Sequence, residues 1–439
     1  MRLLRRSSTV LSLAILCAAG MVYYHLWLFA PRAMEVRAAQ GYGNGYSFGA
    51  DFYPIWLTSR QGVFHHRDPY SAEMTRQIQT GLFGRPLDAH NSAAPPDYRT
   101  FAYPAFVDLL FWPLGLLSFS VVRIAVAIVL AVATAVSVVL WLRSFHLRAG
   151  VAVLVSVMVL TLSSYAVLEG LFADQVGLLV GFLVAAALAA LVQRKLFLAG
   201  SLLGLALVKP QMMALAGAYL LLWSLHQGRL RWRLLSGFAL ISSVLVGSSL
   251  LVWPRWIHEW LQVLFGYRQY ATPPLVCYLL GSRVGSRLGP LLIAALLASA
   301  AALAWRMRRA SPTSIEFALT ISLLAAITAV TLLPGHAVYD HIVLLPGILL
   351  VAFSWRGFAA SSRVFRVVLG VTALALFWQW ILAPVVIAAQ PILPHRVFVS
   401  AVLTLPIRTA ASIPFGVLAL LGLMLREVAR KRIAGSGNL

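Results

Sequence analysis

Apolar runs long enough to cross a lipid bilayer recur along the whole chain of 439 residues. A transmembrane helix needs about 20 mostly apolar residues. Of the residues, 61% are hydrophobic and only 11% are charged, whereas soluble domains carry about 25% charged residues. The mean hydropathy of +0.85 agrees with this composition. We therefore predict an all-α polytopic membrane protein, and the composition excludes a soluble enzyme, a disordered chain and a fibrous protein.

Twelve membrane crossings are predicted, with both termini on the cytoplasmic side. The first, residues 10–30, follows three arginines as a signal peptide would, but it is long for one and no clean Ala-x-Ala site follows it. We interpret it as a retained helix. The other predicted crossings are residues 120–142, 151–168, 176–192, 196–208, 212–225, 234–253, 289–305, 315–333, 341–353, 364–388 and 406–425.

The apolar segment 101–117 is open to two interpretations, because it contains Pro104, Asp108 and Pro113. If it spans the membrane, the basic loop 143–148 falls outside. If it re-enters or lies along the outer interface, every basic loop falls inside, and we adopt this alternative. The chain is then one domain (1–439), which comprises a first helix (1–30), an outer loop with juxtamembrane helices (31–118) and a helical bundle (119–439).

The formal net charge of +22 tests this topology. The topology places 20 of the 35 Lys and Arg residues on the cytoplasmic side, together with only two of the 13 Asp and Glu residues. Basic residues collect on that side of membrane proteins. Orientation therefore explains the charge, and no nucleic-acid partner is predicted. The acids on the outer side are the scarcer and more informative set.

Four polar spots converge on the outer ends of the predicted helices. Charged residues in or beside membrane spans are costly and are functional candidates by default. The four spots are Asp51, Asp174 with Gln175, Lys209 before the helix-breaking Pro210, and the segment from His336 through Asp340 to His341. Together they predict the wall of a polar cleft.

Each spot also has a purely structural interpretation, which the sequence leaves open. Asp51 is then a loop carboxylate or a helix N-cap, and Asp174 and Gln175 cap the helix that follows them. Lys209 is then an end-of-helix lysine that extends to the interface. Either His336 or His341 is a loop residue, and the sequence does not decide which of them belongs to the site.

Motifs of several enzyme classes are absent from the sequence. There is no phosphate-binding GxxxxGK[ST] loop, no HExxH and no CxxC, and nothing specifies a metal or another cofactor. The two cysteines, Cys17 and Cys277, cannot form a disulfide framework.

Several short motifs follow one another along the chain. They are Asp51-Phe52-Tyr53-Pro54-Ile55-Trp56, Asp68-Pro69-Tyr70, Phe101-Ala102-Tyr103-Pro104-Ala105, Asp174-Gln175, Ala199-Gly200 through Gly204 to Lys209-Pro210, and Val338-Tyr339-Asp340-His341. Their order resembles the GT-C superfamily of glycosyltransferases that use polyprenyl-phosphate sugars, and within it glycosyltransferase family 87, a bacterial alpha-mannosyltransferase family. The resemblance extends to about residue 347.

Three positions depart from the family's pattern. The segment Tyr103-Pro104-Ala105 lacks a second proline, Asp174 stands where a glycine is usual, and Val338-Tyr339 replaces a Ser-Trp pair. These departures bear on the identity of the sugar and acceptor more than on the class of reaction.

The resemblance implies a GT-C-like bundle of about 12 transmembrane helices in the bacterial inner membrane. It also implies a reaction, in which a mannose or similar sugar passes from a polyprenyl-phosphate donor to a lipid or glycan acceptor at the outer leaflet, with inversion and without a metal. Asp51 corresponds to the family's acid, and it would take the proton of the attacking hydroxyl. Lys209 would stabilise the departing phosphate, and His341 would donate a hydrogen bond or carry a second charge.

The remaining predicted substrate-binding residues are Gln175, Asp340, Tyr103 and Arg268, with Arg396 as a looser candidate. Two other functions remain open. A transporter or flippase of a lipid-linked or anionic substrate would place its polar residues on broken helices near the bilayer midplane, which is one way to interpret Lys209-Pro210. A non-catalytic assembly subunit would keep the fold without the activity.

Overall fold

The computed structural model describes residues 2–87, 98–360 and 362–436, and within these it leaves out the side chains of residues 2–7, 63, 267–270 and 432–436. The described residues form helices joined by turns, with one isolated β-bridge between Pro274 and Pro334. The predicted all-α class is therefore confirmed for the part of the chain that the structure covers.

The α-helices are numbered here in chain order. They are α1 (Arg2–Tyr23), α2 (Ala30–Ala39), α3 (Tyr53–His65), α4 (Ala72–Phe83), α5 (Phe106–Phe111), α6 (Phe119–Ser144), α7 (Val151–Leu162), α8 (Tyr165–Phe172), α9 (Gly177–Val192), α10 (Leu196–Leu205), α11 (Pro210–His226), α12 (Gly228–Val252), α13 (Trp256–Tyr270), α14 (Leu275–Met307), α15 (Ile315–Thr331), α16 (Leu345–Ala359), α17 (Arg363–Ala389) and α18 (His395–Ser436). A π-helical segment (Tyr24–Phe29) joins α1 to α2, and 3-10 segments occupy Trp112–Leu116, Ala206–Val208 and Val338–Leu344.

Every one of the twelve predicted crossings coincides with a helix, but the count of twelve membrane spans is not confirmed. Seven helices of the described chain are long and apolar enough to cross a membrane, and the pair α7 and α8, bent by 58°, would make eight. Helices α9, α11 and α15 have at most 17 residues, and α10 with its 3-10 extension is shorter still. At a rise of about 1.5 Å per residue, such helices fall short of a hydrocarbon core about 30 Å thick.

Two predicted boundaries in the N-terminal part change. The first helix was expected to end at residue 30, yet helical structure continues to Ala39, because Pro31 lies in the first turn of α2 where its missing N–H is tolerated. The segment 101–117 forms only α5 and a five-residue 3-10 turn. That length is too short to cross a bilayer, which agrees with the non-spanning alternative.

Helix α15 is the centre of the bundle. Every side chain from Phe317 to Thr331 is buried, and its sequence is apolar on all faces, as is typical of a helix with no solvent-facing side. Helices α11, α14, α16 and α18 surround it.

Glycines bring α10 and α12 into close contact and thereby position the chain that follows α10. A Cβ at Gly200 would lie 1.9 Å from the carbonyl oxygen of Leu234, and one at Gly237 would lie 2.2 Å from that of Phe197. Small residues spaced four apart, here Gly200 and Gly204, allow helix backbones to approach closely. The approach fixes the position at which α10 ends, and the three-residue 3-10 segment Ala206–Val208 then leads to Lys209.

Candidate active site

The loop before α3 is bound to the end of α8 by its backbone. The N–H of Gly49 donates to the carbonyl of Phe172 at 2.8 Å, and the N–H of Asp51 donates to that of Ala173 at 3.1 Å. Gly49 has a φ of +81°, a left-handed conformation that glycine adopts without strain. The loop therefore holds Asp51 beside the turn that carries Gln175.

The Asp51 carboxylate is paired through both of its oxygens. Arg99 donates to Oδ1 and forms an ion pair with it, and the Gln175 amide donates from Nε2 to Oδ2 at 2.7 Å. Burial by itself raises the pKa of this carboxyl, but Arg99, Gln175 and Lys209 outweigh it and hold the pKa of Asp51 below its usual value. Asp51 is therefore an ionised carboxylate at neutral pH.

Gln175 links Asp51 to the opposite wall of the site. Its side-chain oxygen accepts from the Lys209 ammonium at 3.1 Å and from the Tyr103 hydroxyl at 3.3 Å. Because the same amide donates to Asp51 through its nitrogen, its orientation is fixed by three partners.

Lys209 and Asp340 form a buried ion pair. The ammonium lies 2.6 Å from Oδ1 of Asp340, and the two side chains are 9% and 1% exposed. Asp340 fits there because α9 begins with a glycine, and a Cβ at Gly177 would lie 2.5 Å from the same carboxylate oxygen. The Tyr339 ring lies 5.2 Å from the ammonium and adds a cation–π contact.

These contacts define the site network, which consists of Arg99, Asp51, Gln175, Tyr103, Lys209 and Asp340. Five of its members were predicted from the sequence as site residues, and the structure brings those five together. Arg99 was missed by the sequence reasoning. The available signal was its position as a basic residue two places before the Phe101-Ala102-Tyr103-Pro104 motif.

The predicted histidine is outside the site network. His341 hydrogen-bonds to the backbone of Ala410, and its Nε2 is buried with no hydrogen-bond partner among the described residues. His336 hydrogen-bonds to Thr272 in the segment between α13 and α14. The side chain of the predicted Arg268 lies outside the described residues, although its backbone belongs to α13.

Asp174 does not cap the helix that follows it, so that structural interpretation is wrong. Its two carboxylate oxygens are buried without a hydrogen-bond partner in the described structure, and α9 begins without a side-chain cap. Burial raises the pKa of Asp174 to about 8, although Arg123 lowers it and Asp51 raises it further. At neutral pH this carboxyl is mostly protonated and uncharged.

The Asp68-Pro69-Tyr70 motif fixes the backbone of Tyr103, a member of the site network. The Asp68 carboxylate accepts from the backbone N–H of Tyr70 at 2.9 Å, and the Tyr70 hydroxyl donates to the carbonyl of Tyr103 at 2.7 Å. The Trp260 indole donates to the neighbouring carbonyl of Ala102 at 3.0 Å. These bonds hold Tyr103 where its own hydroxyl reaches Gln175.

A second buried polar cluster, which the sequence did not reveal, lies under the same loop. The Tyr46 hydroxyl donates to Glu169 at 2.8 Å, and His25 of the π-helical segment lies 3.8 Å from that carboxylate. Aromatic rings enclose the histidine on several sides. The cluster joins the π-helical segment and α8 beneath the segment that carries Asp51.

Helices of membrane-spanning length around a buried network of two carboxylates, two cations, an amide and a phenol define a membrane protein with a polar site suited to acid–base chemistry. The sequence model of glycosyltransferase family 87 matches residues 101–334, which is just over half of the chain. The chain therefore belongs to glycosyltransferase family 87 and is a membrane glycosyltransferase. No match was found among curated proteins or among solved structures. Tyr103, Gln175 and Lys209 lie inside the matched range, whereas Asp51 and Asp340 lie outside it.

Proposed function

We propose that this glycosyltransferase moves a sugar, mannose or a similar hexose or pentose, from a polyprenyl-phosphate donor to a hydroxyl group of a lipid or glycan acceptor. We place the reaction at the outer leaflet of a bacterial inner membrane. The observation that carries the proposal is the hydrogen-bonding of ionised Asp51 to Gln175, and through it to Lys209 and Tyr103.

Asp51 is the proposed general base. The acceptor oxygen attacks the anomeric carbon, the carbon–oxygen bond to the phosphate breaks, and the hydroxyl proton passes to the carboxylate. A carboxylate of low pKa is a weak base, and it suffices here because the hydroxyl becomes acidic as its oxygen bonds to carbon. One such displacement inverts the anomeric centre.

Lys209 and Asp340 are proposed to position the side chains of the site. Their ion pair fixes Gln175 and, through it, the Asp51 carboxylate that faces the acceptor. The ammonium also contributes a positive potential where charge grows on the departing phosphate. No step of the scheme calls for a metal.

The experiment that tests this proposal replaces Asp51 by Asn in the full-length protein in membranes. Asparagine keeps the size of the side chain and its contact with Gln175 but cannot accept a proton. General-base catalysis contributes about 100- to 10,000-fold to a rate, so we expect Asp51→Asn to lower sugar transfer by a factor in that range. Release of radiolabelled sugar to the acceptor fraction measures it.

Glu35→Gln is the matched control, because Glu35 is an exposed acid in the middle of α2, the helix that precedes the loop of Asp51. It should transfer sugar at the wild-type rate. Transfer by Asp51→Asn within a few fold of the wild type, with equal protein in the membrane, would mean that Asp51 is not the base.

A further inference from the structure

Both cations of the site network are already ion-paired with carboxylates, which weakens the positive potential that they offer to a phosphate. Lys209 pairs with Asp340 and Arg99 pairs with Asp51. A polyprenyl-phosphate sugar brings a negative charge, and the phosphate gains more negative charge as the sugar leaves. Binding of such a donor calls for a cation that no protein carboxylate has neutralised.

Arg123 is a cation of this kind. It lies near the start of α6 and is half-buried, and the ion pairs among the described residues do not include it. Its Nε is buried without a hydrogen-bond partner in the described part of the chain, and the guanidinium lies 5.4 Å from the centre of the Phe48 ring. The arginine is thus placed by packing rather than by an opposite charge.

The backbone brings Arg123 next to the loop that carries Asp51. A Cβ at Gly49 would lie 2.9 Å from Cβ of Arg123 and 3.0 Å from Oδ2 of Asp174. Gly49 is two residues before Asp51. The backbone around Gly49 is therefore close to Arg123, to the Asp174 carboxyl group and to Asp51, the proposed base.

Neither of the two carboxyl groups beside this stretch of backbone, Asp174 and Asp51, compensates the positive charge of Arg123. Burial raises the pKa of Asp174 to about 8, with Arg123 lowering it and Asp51 raising it. At neutral pH, Asp174 is therefore mostly protonated and does not compensate the arginine. Asp51 is already paired with Arg99.

The outer surface of α6 gives a lipid-linked ligand a path to Arg123. Val121, Ile124, Ile128 and Val132 are each more than half exposed and follow one another at helical spacing. In a membrane this stripe contacts acyl chains. A ligand with a phosphate head and a prenyl tail matches the arginine beside the apolar stripe.

We infer that Arg123 binds the phosphate of the polyprenyl-phosphate donor, as a direct contact that Lys209 in its buried ion pair does not supply. The inference rests on the proposed function, and it adds a substrate-binding residue that the sequence did not single out. A guanidinium offers a phosphate two parallel N–H donors.

Equilibrium binding of farnesyl phosphate and of farnesol to the full-length protein tests the inference, in nanodiscs of phosphatidylcholine. The two probes share a tail and differ in the phosphate. Hydrogen bonds to charged groups contribute about 1.5–3 kcal/mol, so Arg123→Gln should lose about 10- to 150-fold of its affinity for farnesyl phosphate and keep its affinity for farnesol. Arg123→Lys should lose less, because it retains the charge.

Arg143→Gln is the matched control, since Arg143 is at the other end of the same helix, and it should bind both probes like the wild type. Equal affinity of Arg123→Gln and wild type for farnesyl phosphate would overturn the inference while leaving the proposed donor intact. So would an equal loss in Arg143→Gln, which would indicate an effect of net charge. A wild type that binds farnesol as well as farnesyl phosphate would overturn the donor assignment itself, and the inference with it.

Discussion

At the scale of single residues, Asp174 combines a left-handed backbone conformation with a buried carboxyl group. Its φ is +55°, a left-handed conformation that glycine adopts freely and that aspartate tolerates better than most residues. The resemblance to glycosyltransferase family 87 implies a glycine at this position, and the left-handed backbone gives a physical reason for it. Aspartate at this position leaves a buried carboxyl that has no hydrogen-bond partner among the described residues.

The raised pKa of Asp174 makes the stability of the protein depend on pH. Between the ordinary carboxyl value and about 8, the folded state keeps a proton that the unfolded state releases. Stability therefore falls as pH rises through this window, by about 1.4 kcal/mol per pH unit. Asp174→Asn carries no such proton, so its thermal unfolding temperature in detergent should rise relative to the wild type from pH 5 to pH 7.5.

The exposed Glu35→Gln serves as the control for this measurement. A difference between Asp174→Asn and wild type that stays constant across the same pH range would contradict the raised pKa.

At the scale of helices, glycines decide where the charged side chains arrive. Gly200 and Gly237 let α10 and α12 touch, so that the chain turns out of α10 close to Lys209. Gly177 leaves room at the start of α9 for the Asp340 carboxylate. The sequence places Gly200 in a motif and does not single out Gly177 or Gly237, because the atoms that these glycines accommodate belong to distant segments.

Gly177→Ala should disrupt the Lys209–Asp340 ion pair. The added Cβ would lie 2.5 Å from Oδ1 of Asp340, so the carboxylate must move away from the ammonium. Breaking a buried ion pair costs about 3–5 kcal/mol when one partner is removed, and we expect a smaller loss of stability here together with a loss of sugar transfer. Thermal unfolding and transfer activity measure the two effects.

Gly247→Ala is the control, since a Cβ there meets no atom within 4 Å and alanine favours a helix over glycine. It should be neutral or stabilising. If the two variants behaved alike, the contact between Gly177 and Asp340 would have no role in the site.

At the scale of the whole molecule, the polar site and the basic loops lie at opposite ends of the packed helices. Helices α6 and α9 pack together and both begin beside the site, so Arg143 and Arg194 lie at their far ends. At that end Arg309 donates to His226 at 2.9 Å, joining the ends of α14 and α11. This separation supports the proposal that the site faces the outer leaflet, because basic ends favour the cytoplasmic side.

Reporter fusions test this orientation. Alkaline phosphatase is active only outside the cytoplasm, so we expect an inactive fusion after Leu147 and an active one after Thr272, which lies between α13 and α14. The reversed pattern would place Asp51 and Lys209 on the cytoplasmic side, and it would contradict the proposal that the reaction takes place at the outer leaflet.

The sequence by itself determined the class of the fold and the positions of the apolar helices, and it singled out five residues that the structure brings into the site network. Apolar periodicity is a local property, and ionisable residues beside apolar runs are costly enough to mark a site. Tertiary structure alone decided where α9, α10, α11 and α15 end, that Arg99 pairs with Asp51, and that His341 is outside the network. Those outcomes depend on contacts between segments far apart in the chain, which a local pattern of residues does not encode.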